Sequence, residues 1–399
     1  MDAIDRECDA RLLYEIPTIR PQFIYDTYQN RVRAVSMLPW DASLKMLGVP
    51  TYQSIMRTDM SLIFDAILFD RQLYNPLFNF LSTLSFMLPR AHKRGKTLGC
   101  FNVGVGPVNT LRGQGMLRDL CELMSFITVR DGDSLAILRS IGVQNPRILV
   151  TADAALGVRP CTQDRANEIL NECGLSDAPE ILALNISAYL DTWAAADHTP
   201  MGKKRFISAY SESLTEVLRT LKVPALFVCT QHHDVAVTKE IMGVLRSPER
   251  VAMVSNRELN HFEIKGVLSR VSLLFGMRLH AIILAASERT PVAALPHQPK
   301  VSHFLKTLGL ERQALRFKDF SAKSMTDHLL SSWSQRETLR RTLGQVIPEQ
   351  IRRSEIAAKL VAGLHRGNSV EQLVSVLTEP TQIHPVDHER RTAVSECLV

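Results

Sequence analysis

The sequence predicts a two-domain α/β protein with a cleft between the domains and a helical tail. Three observations predict it. Short apolar runs rich in β-branched residues alternate with longer stretches of helical periodicity, the pattern of parallel βαβ units. Glycine and proline at Gly157-Val-Arg-Pro160 interrupt that alternation, and the same style resumes afterwards. From Ser321 onward the strand pattern disappears and charge increases.

In the first half, the runs Gln22–Tyr25, Ser61–Phe64, Thr97–Val105, Ile127–Val129 and Arg147–Thr151 are read as strands. Helical periodicity lies between them, clearest at Thr110–Ser125 and Asp133–Ile141. In the second half, Ile181–Ser187, Ala225–Thr230, Arg250–Ser255, Ser272–Gly276 and Val292–Leu295 are near-continuous apolar runs, as buried parallel strands require. Lys204–Leu221, Val235–Leu245, Glu258–Leu268 and Leu279–Ser287 are the helices between them. Two successive units of similar size give two Rossmann-like domains, residues 1–157 and 158–320, with a helical tail over 321–399. In the tail Leu329, Leu330, Trp333, Leu339 and Leu343 form an apolar face, whereas Thr378–Val399 lose periodicity and are expected to fray. No short repeat is present, which excludes a solenoid.

Composition narrows the class. The chain has 399 residues, 45% hydrophobic and 22% charged, as in ordinary globular proteins. A net charge of +6 and a pI near 9.0 favour anionic company, but spread over this length the field is weak. The seven cysteines are odd in number and include no C-x-x-C pair, which argues against a disulfide framework or a thiolate zinc site. The opening Met1-Asp-Ala-Ile-Asp-Arg lacks the basic start and apolar run of a signal peptide. Gln72–Pro89 carries no charge but is broken by polar residues and Pro76, so it is read as an amphipathic helix and not as a membrane span. A cytoplasmic protein is expected, with attachment to the inner face of the membrane as a further option, and no nucleic-acid partner.

The chemistry-bearing residues cluster at strand ends, where open α/β sheets bind ligands. Gly276-Met-Arg-Leu-His280 joins a strand to a helix whose first turn offers unpaired N–H groups to an anion. There Arg278 serves either as a fork for a carboxylate or phosphate or as the partner of a nearby acid. His280 is either a proton carrier or a satisfied buried histidine. Gly104 and Gly106, in Asn102-Val-Gly-Val-Gly-Pro107, allow a tight bend and close backbone approach to a phosphate or sugar, or make a plain turn. Arg130 stands at the end of its strand beside Asp131 and Asp133, two candidate helix caps. Thr230-Gln-His-His-Asp234 invites a metal reading, but adjacent residues rarely point at one ion, so His233 is read as a sugar ligand or helix cap and no metal is expected. His297 and Lys300, in Pro296-His-Gln-Pro-Lys300, add an imidazole and a cation.

Taken together, several of these segments resemble the polysaccharide pyruvyl transferase family. The resemblance is carried by Ile127-Thr-Val-Arg-Asp131 with Ser134 and Leu138, by Ile141-Gly-Val143 and by Val150-Thr-Ala-Asp153. Gly276-Met-Arg-Leu-His-Ala281 is similar to the family's most recognisable motif, and Pro291-Val292 and Pro299-Lys-Val301 with Phe304-Leu305 follow at the expected spacing. The resemblance covers about half of the chain and implies a GT-B-like fold, phosphoenolpyruvate as donor, no further cofactor, and a sugar or lipid-linked oligosaccharide as acceptor. It implies donor binding by Arg278 and acid–base work by His280. Leu279, Arg130, Gly104, Gly106, Asn185, His233, His297 and Lys300 complete the expected substrate site. The chain departs from the family in two places. It opens at Met1-Asp-Ala-Ile without the family's first strand and Asn-x-Gly-Asp turn. Asn185-Ile-Ser-Ala-Tyr189 stands where an arginine is often found. The function implied is transfer of pyruvate as a ketal to a polysaccharide sugar. The alternatives are a nucleotide-sugar glycosyltransferase of the same fold and a non-catalytic glycan-binding member.

Overall fold

The computed structural model describes residues 1–8, 11–18, 20–28, 31–36, 48–64, 80–106, 108–188, 202–246 and 249–378. The chain opens with α1 (Asp2–Glu7), β1 (Tyr14–Thr18), α2 (Pro21–Tyr28) and β2 (Val32–Ser36), and β1 pairs with β2 in parallel. Next come α3 (Gly48–Arg57), β3 (Met60–Phe64), α4 (Phe80–His92), β4 (Thr97–Val103), α5 (Leu111–Leu123), β5 (Phe126–Val129), α6 (Gly132–Ser140) and β6 (Ile148–Val150). These strands form a parallel sheet in the order β3-β4-β5-β6. A 3₁₀ turn at Ala154–Gly157 and α7 (Gln163–Glu172) lead into the second half. That half contains β7 (Leu182–Asn185), α8 (Lys203–Leu221), β8 (Ala225–Cys229), α9 (Asp234–Val244), β9 (Val251–Ser255), α10 (His261–Leu268), β10 (Leu273–Gly276), α11 (Leu279–Ser287) and β11 (Val292–Ala294). Its sheet is parallel, with the order β11-β10-β7-β8-β9. The remainder is α12 (Pro299–Thr307), α13 (Ala322–Ser334), α14 (Arg336–His365) and α15 (Val370–Thr378). The fold is thus two Rossmann-like halves with a cleft between them and a helical C-terminal region.

The strand reading of Gln22–Tyr25 is corrected: those residues lie in α2. Pro21 fills the first helical position, where its fixed φ and missing N–H cost nothing, and Gln22 Nε2 donates to Asp26 Oδ1 at 2.7 Å across one turn. The strands lie on either side, at β1 and β2. Of the apolar stretch Gln72–Pro89, residues 80–89 belong to α4, while 72–79 lie outside the described residues, as do Pro107, Tyr189 and 379–399.

Each of the two larger sheets has its own core. The second is the larger: β7, β8 and β10 are buried along their whole length and packed between helices on both faces. The C-terminal helices are part of this packing. Phe317 and Phe320 stack near Phe206 of α8, and Leu339, Leu343 and Ile347 of α14 enter the second core. Further along, Ala357, Ala358, Leu360 and Val361 of the same helix pack on Phe101, Phe126 and Leu149 of the first sheet. Pro348 lies between these two stretches.

Other contacts hold the halves together. Lys265, fully buried, donates to the carbonyls of Leu156 (3.3 Å) and Val158 and meets Glu288 at 3.2 Å. Burial pushes its ammonium pKa down, with Glu288 opposing. Arg20 Nη1 donates to the Asn256 carbonyl at 3.0 Å, and Tyr28 Oη lies 2.9 Å from His261 Nε2. His303 Nδ1 of α12 is 3.1 Å from Asp133 Oδ2 of α6.

Candidate active site

In the second sheet the strand order reverses between β7 and β10, and their last residues, Asn185 and Gly276, are register partners. Such a switch point opens a crevice beyond the strand ends. The chain leaves β10 through Met277 and Arg278 into α11. Asn185 holds this turn in place: its Oδ1 accepts from the Arg278 backbone N–H at 2.8 Å, and its Nδ2 donates to the Val228 carbonyl at 2.8 Å. Asn185 therefore ties β7, β8 and the start of α11 together.

The Arg278 guanidinium is gripped at two points by a carboxylate that is completely buried. Nε donates to Asp234 Oδ2 at 2.9 Å and Nη2 to Asp234 Oδ1 at 2.7 Å, while the Ala188 N–H also donates to Oδ1 at 2.8 Å. A forked pair of this kind fixes the plane of the guanidinium as well as its charge. Asp234, which the sequence places only within the segment that invites a metal reading, is thus the partner of an arginine 44 residues away. His233, next to it, is exposed and its ring lies tilted against that of His232, with centroids 3.6 Å apart. Among the described residues no group of three or more His, Cys, Asp and Glu side chains is placed to hold a metal ion.

Across the cleft, Arg130 leaves β5 with its side chain only 7% exposed. Its Nη1 is 3.1 Å from Asp153 Oδ2 and its Nε 3.6 Å from Asp131 Oδ2. Asp131 also caps α6 by accepting from the Ser134 N–H at 2.7 Å. A Cβ on Gly104 would lie 2.3 Å from Arg130 Nη2, so the guanidinium rests against the bare backbone. Gly106 adopts φ +91°, in the region glycine alone enters readily, and a Cβ there would strike Ile137 at 2.6 Å. Before this turn, Asn102 is held at φ 51° by a buried network. Its N–H donates to Thr128 Oγ1 at 2.7 Å, its Oδ1 accepts from Thr151 Oγ1 at 2.7 Å, and its Nδ2 donates to the Ser354 carbonyl of α14 at 2.8 Å.

The two halves meet at a small cavity of about 20 Å³ lined by Arg130, Asp153, Leu279, Lys300, Phe304 and Gln350, among others. Of the residues singled out in the sequence, Arg130, Leu279 and Lys300 thus come together on one cavity, and Gly104 supports the first of them. His297 lies beside Arg278 and Lys300. Burial, reinforced by both cations and opposed by the Met277 backbone, pushes its imidazole down to about 3, so it is neutral at pH 7. His280, the second residue of α11, is half-buried and is not on the wall that Leu279 lines. Asn185 and His233 lie farther round the same strand ends, linked to the cleft through Arg278 and Asp234.

Comparison with known proteins places this architecture. The amylovoran biosynthesis protein AmsJ of Erwinia amylovora is 25% identical over 287 residues, covering 68% of this chain and 65% of AmsJ. The chain therefore spans just under two-thirds of the length of that relative. Among solved structures, S. aureus MnaA with UDP aligns at a TM-score of 0.55 and 12% identity, over 94% of this chain and 99% of that one. The UDP-GlcNAc 2-epimerase of Neisseria meningitidis aligns at 0.53 and 13% identity, over 90% and 100%. At such identities these neighbours show the shared GT-B-type fold alone. Residues 11–299 match the polysaccharide pyruvyl transferase sequence profile, well over half of the chain, and the protein belongs to that family.

Proposed function

We propose that this chain transfers pyruvate from phosphoenolpyruvate, as a ketal, to a sugar of a polysaccharide or of its lipid-linked precursor. The observation that carries the reading is the meeting of Arg130 and Lys300 on one cavity between the strand ends of the two halves. A doubly charged phosphate is best held by two cations facing a dry space, and preorganised charge is worth most where water is excluded. The first turn of α11 adds backbone N–H groups and the positive end of its dipole. The relative AmsJ is named as a biosynthesis protein, which fits a synthetic role.

In the proposed reaction His280, as imidazolium, protonates the methylene carbon of the donor. The positive charge that develops at the adjacent carbon is shared with the enol oxygen. A sugar hydroxyl adds there and returns its proton to the imidazole; the bond from that carbon to the phosphate oxygen then breaks. Inorganic phosphate leaves toward Arg130 and Lys300, and a second sugar hydroxyl adds to the same carbon and closes the ketal, its proton passing to the departing phosphate. Arg278 would orient the donor carboxylate from a guanidinium whose plane Asp234 fixes. Neutral His297 would supply a hydrogen bond without a further positive charge. A cavity of about 20 Å³ has room for roughly one water molecule, so donor entry requires the halves to part. No helix among the described residues is long and apolar enough to cross a membrane, so a lipid-linked acceptor would be met at the membrane surface.

The test is phosphate release from phosphoenolpyruvate with a panel of sugar acceptors. Release should require an acceptor and fall by about 10²–10⁴ in His280→Gln with donor affinity kept, the range for loss of a general acid. Lys300→Ala should raise the donor KM. Consumption of a nucleotide sugar with no use of phosphoenolpyruvate would overturn the reading.

A further inference from the structure

The outer face of the first half carries positive charge that the chain leaves unbalanced. Between Asp70 and Asp119 the sequence has no carboxylate side chain, yet Arg90, Lys93, Arg94, Lys96, Arg112 and Arg118 all stand in that stretch. With 41 Asp and Glu in 399 residues, about one position in ten is acidic, so a stretch of this length ordinarily holds several. The fold gathers the cations on one side. Strands β3, β4 and β5 are neighbours in chain order, so right-handed crossovers put α4 and α5 on the same face of their sheet. The two helices lie side by side, with Ser82 Oγ 3.8 Å from Met116 Sδ.

Arg90 is exposed on α4, Lys93 and Arg94 are exposed just after it, and Arg112 is exposed in the first turn of α5. Among the described residues none of these four meets a carboxylate, and Arg118 meets only its neighbour Asp119, at 3.5 Å. The surface elsewhere is built differently: Arg165, Lys203, Arg219, Arg250, Arg340 and Arg352 each lie against an aspartate or glutamate. Like charges kept together without counter-charges repel one another and draw an anion from outside the chain.

Two apolar side chains on these helices select the kind of anion. Phe86, 41% exposed, shares a stripe of α4 with Arg90 four residues on, whose guanidinium lies 3.9 Å from the ring centre. Leu111 opens α5 and is 87% exposed. Its place is fixed by Thr110, which caps the helix by accepting from the Gly113 N–H at 3.0 Å. Because Leu111 follows the bend at Gly104 and Gly106, it stands with Arg112 at the cleft end of the sheet. A nucleic acid or an acidic polymer would meet the cations but offer no apolar phase to Leu111. A bilayer containing anionic lipids offers both, negative headgroups and the hydrocarbon beneath them.

We propose that this face rests on an anionic lipid bilayer, its cations against the headgroups and Leu111 entering the interface. The cleft mouth then lies close to the surface that presents a lipid-linked acceptor. The inference extends that reading of the acceptor and is independent of the donor. The test is flotation of the full chain with vesicles of phosphatidylcholine, alone or mixed with phosphatidylglycerol. The chain should bind only the mixed vesicles and be released as salt is raised. Lys93→Gln combined with Arg94→Gln should weaken binding about thirtyfold, a factor of about five for each cation removed. Leu111→Ser should weaken it about fivefold without changing its salt dependence. Lys323→Gln combined with Arg340→Gln removes the same charge from exposed sites on α13 and α14 and should leave binding unchanged. Equal loss in the two charge-removed pairs would reduce the effect to net charge and overturn the proposal. So would equal binding to neutral vesicles, no binding to mixed ones, or capture by polyglutamate but not by vesicles. Phosphate release with a soluble sugar should be the same in the Lys93–Arg94 variant as in the wild type. Vesicle binding that follows this pattern in a chain releasing no phosphate would support the membrane face and fault the donor reading alone.

Discussion

Replacing Asp234 by alanine removes one half of the forked pair with Arg278 and leaves the guanidinium with a hole beside it. Arg278 is 15% exposed at its side chain and Asp234 not at all, so little solvent reaches the site to substitute for the lost carboxylate. Removing one partner of a buried ion pair typically costs about 3–5 kcal/mol, because the survivor is left charged and uncompensated. The loss of the acceptor for the Ala188 N–H adds to this cost. We therefore expect Asp234→Ala to lose roughly 3 kcal/mol or more in urea unfolding followed by a signal from the second half. The decisive comparison is a double-mutant cycle with Arg278→Met and Asp234→Leu. Replacing both partners by apolar residues should restore most of the stability, since neither charge is then stranded, yet leave donor turnover abolished. A loss below about 1 kcal/mol in Asp234→Ala would refute the argument, because that is the range of a solvent-screened surface pair. Full turnover in the double variant would remove Arg278 from the site.

Two further expectations follow from the same geometry. Gly104→Ala places a methyl group 2.3 Å from the tip of Arg130, a flexible end that can swing aside, so the melting temperature should barely move while the donor KM rises about tenfold, equal to roughly 1.4 kcal/mol. An unchanged KM would show that the seat of Arg130 is irrelevant to the donor. His297 titrates near 3 in the fold and near 6.5 in the unfolded chain, so between those values the unfolded state binds more protons and stability falls as pH is lowered. His297→Gln should flatten that fall by up to about 1.4 kcal/mol per pH unit between pH 6 and 4, read from unfolding midpoints. Parallel pH profiles for the two proteins would refute it.

What could be read from the sequence depended on how far apart the relevant partners lie. Strands β7, β8 and β10 are continuous apolar runs because both faces of their sheet are covered, and that pattern is local. The junction Gly276–His280 was legible for the same reason, as an apolar strand giving way to a helix. The run Gln22–Tyr25 misled because aromatic and β-branched content over four residues is weaker than the helix start set by Pro21. The sequence presents Gly104 and Gly106 as a bend open to a phosphate or sugar, or as a plain turn; that an arginine 26 positions later lies against Gly104 is visible only in three dimensions. The same holds for Arg278 with Asp234, and for Asn102 with Ser354, 252 residues apart. The partners that hold Arg130, Arg278 and Asn102 in place are legible only in three dimensions.

The long helix α14 has a mechanical meaning. The polypeptide passes between the halves near Ala154–Gly157, and α14 crosses back, rooted by Leu343 and Ile347 in one core and by Ala358 and Val361 in the other. Two crossings act as two pins, and two pins leave a body one easy rotation, about the line that joins them. Pro348 interrupts the hydrogen-bond ladder of α14 between its two roots, where bending costs least. Gln350, one half-turn further on, lines the cavity itself. A rotation of one half on the other would thus turn about a line that runs past the cavity, and flexing the helix would move one of its walls.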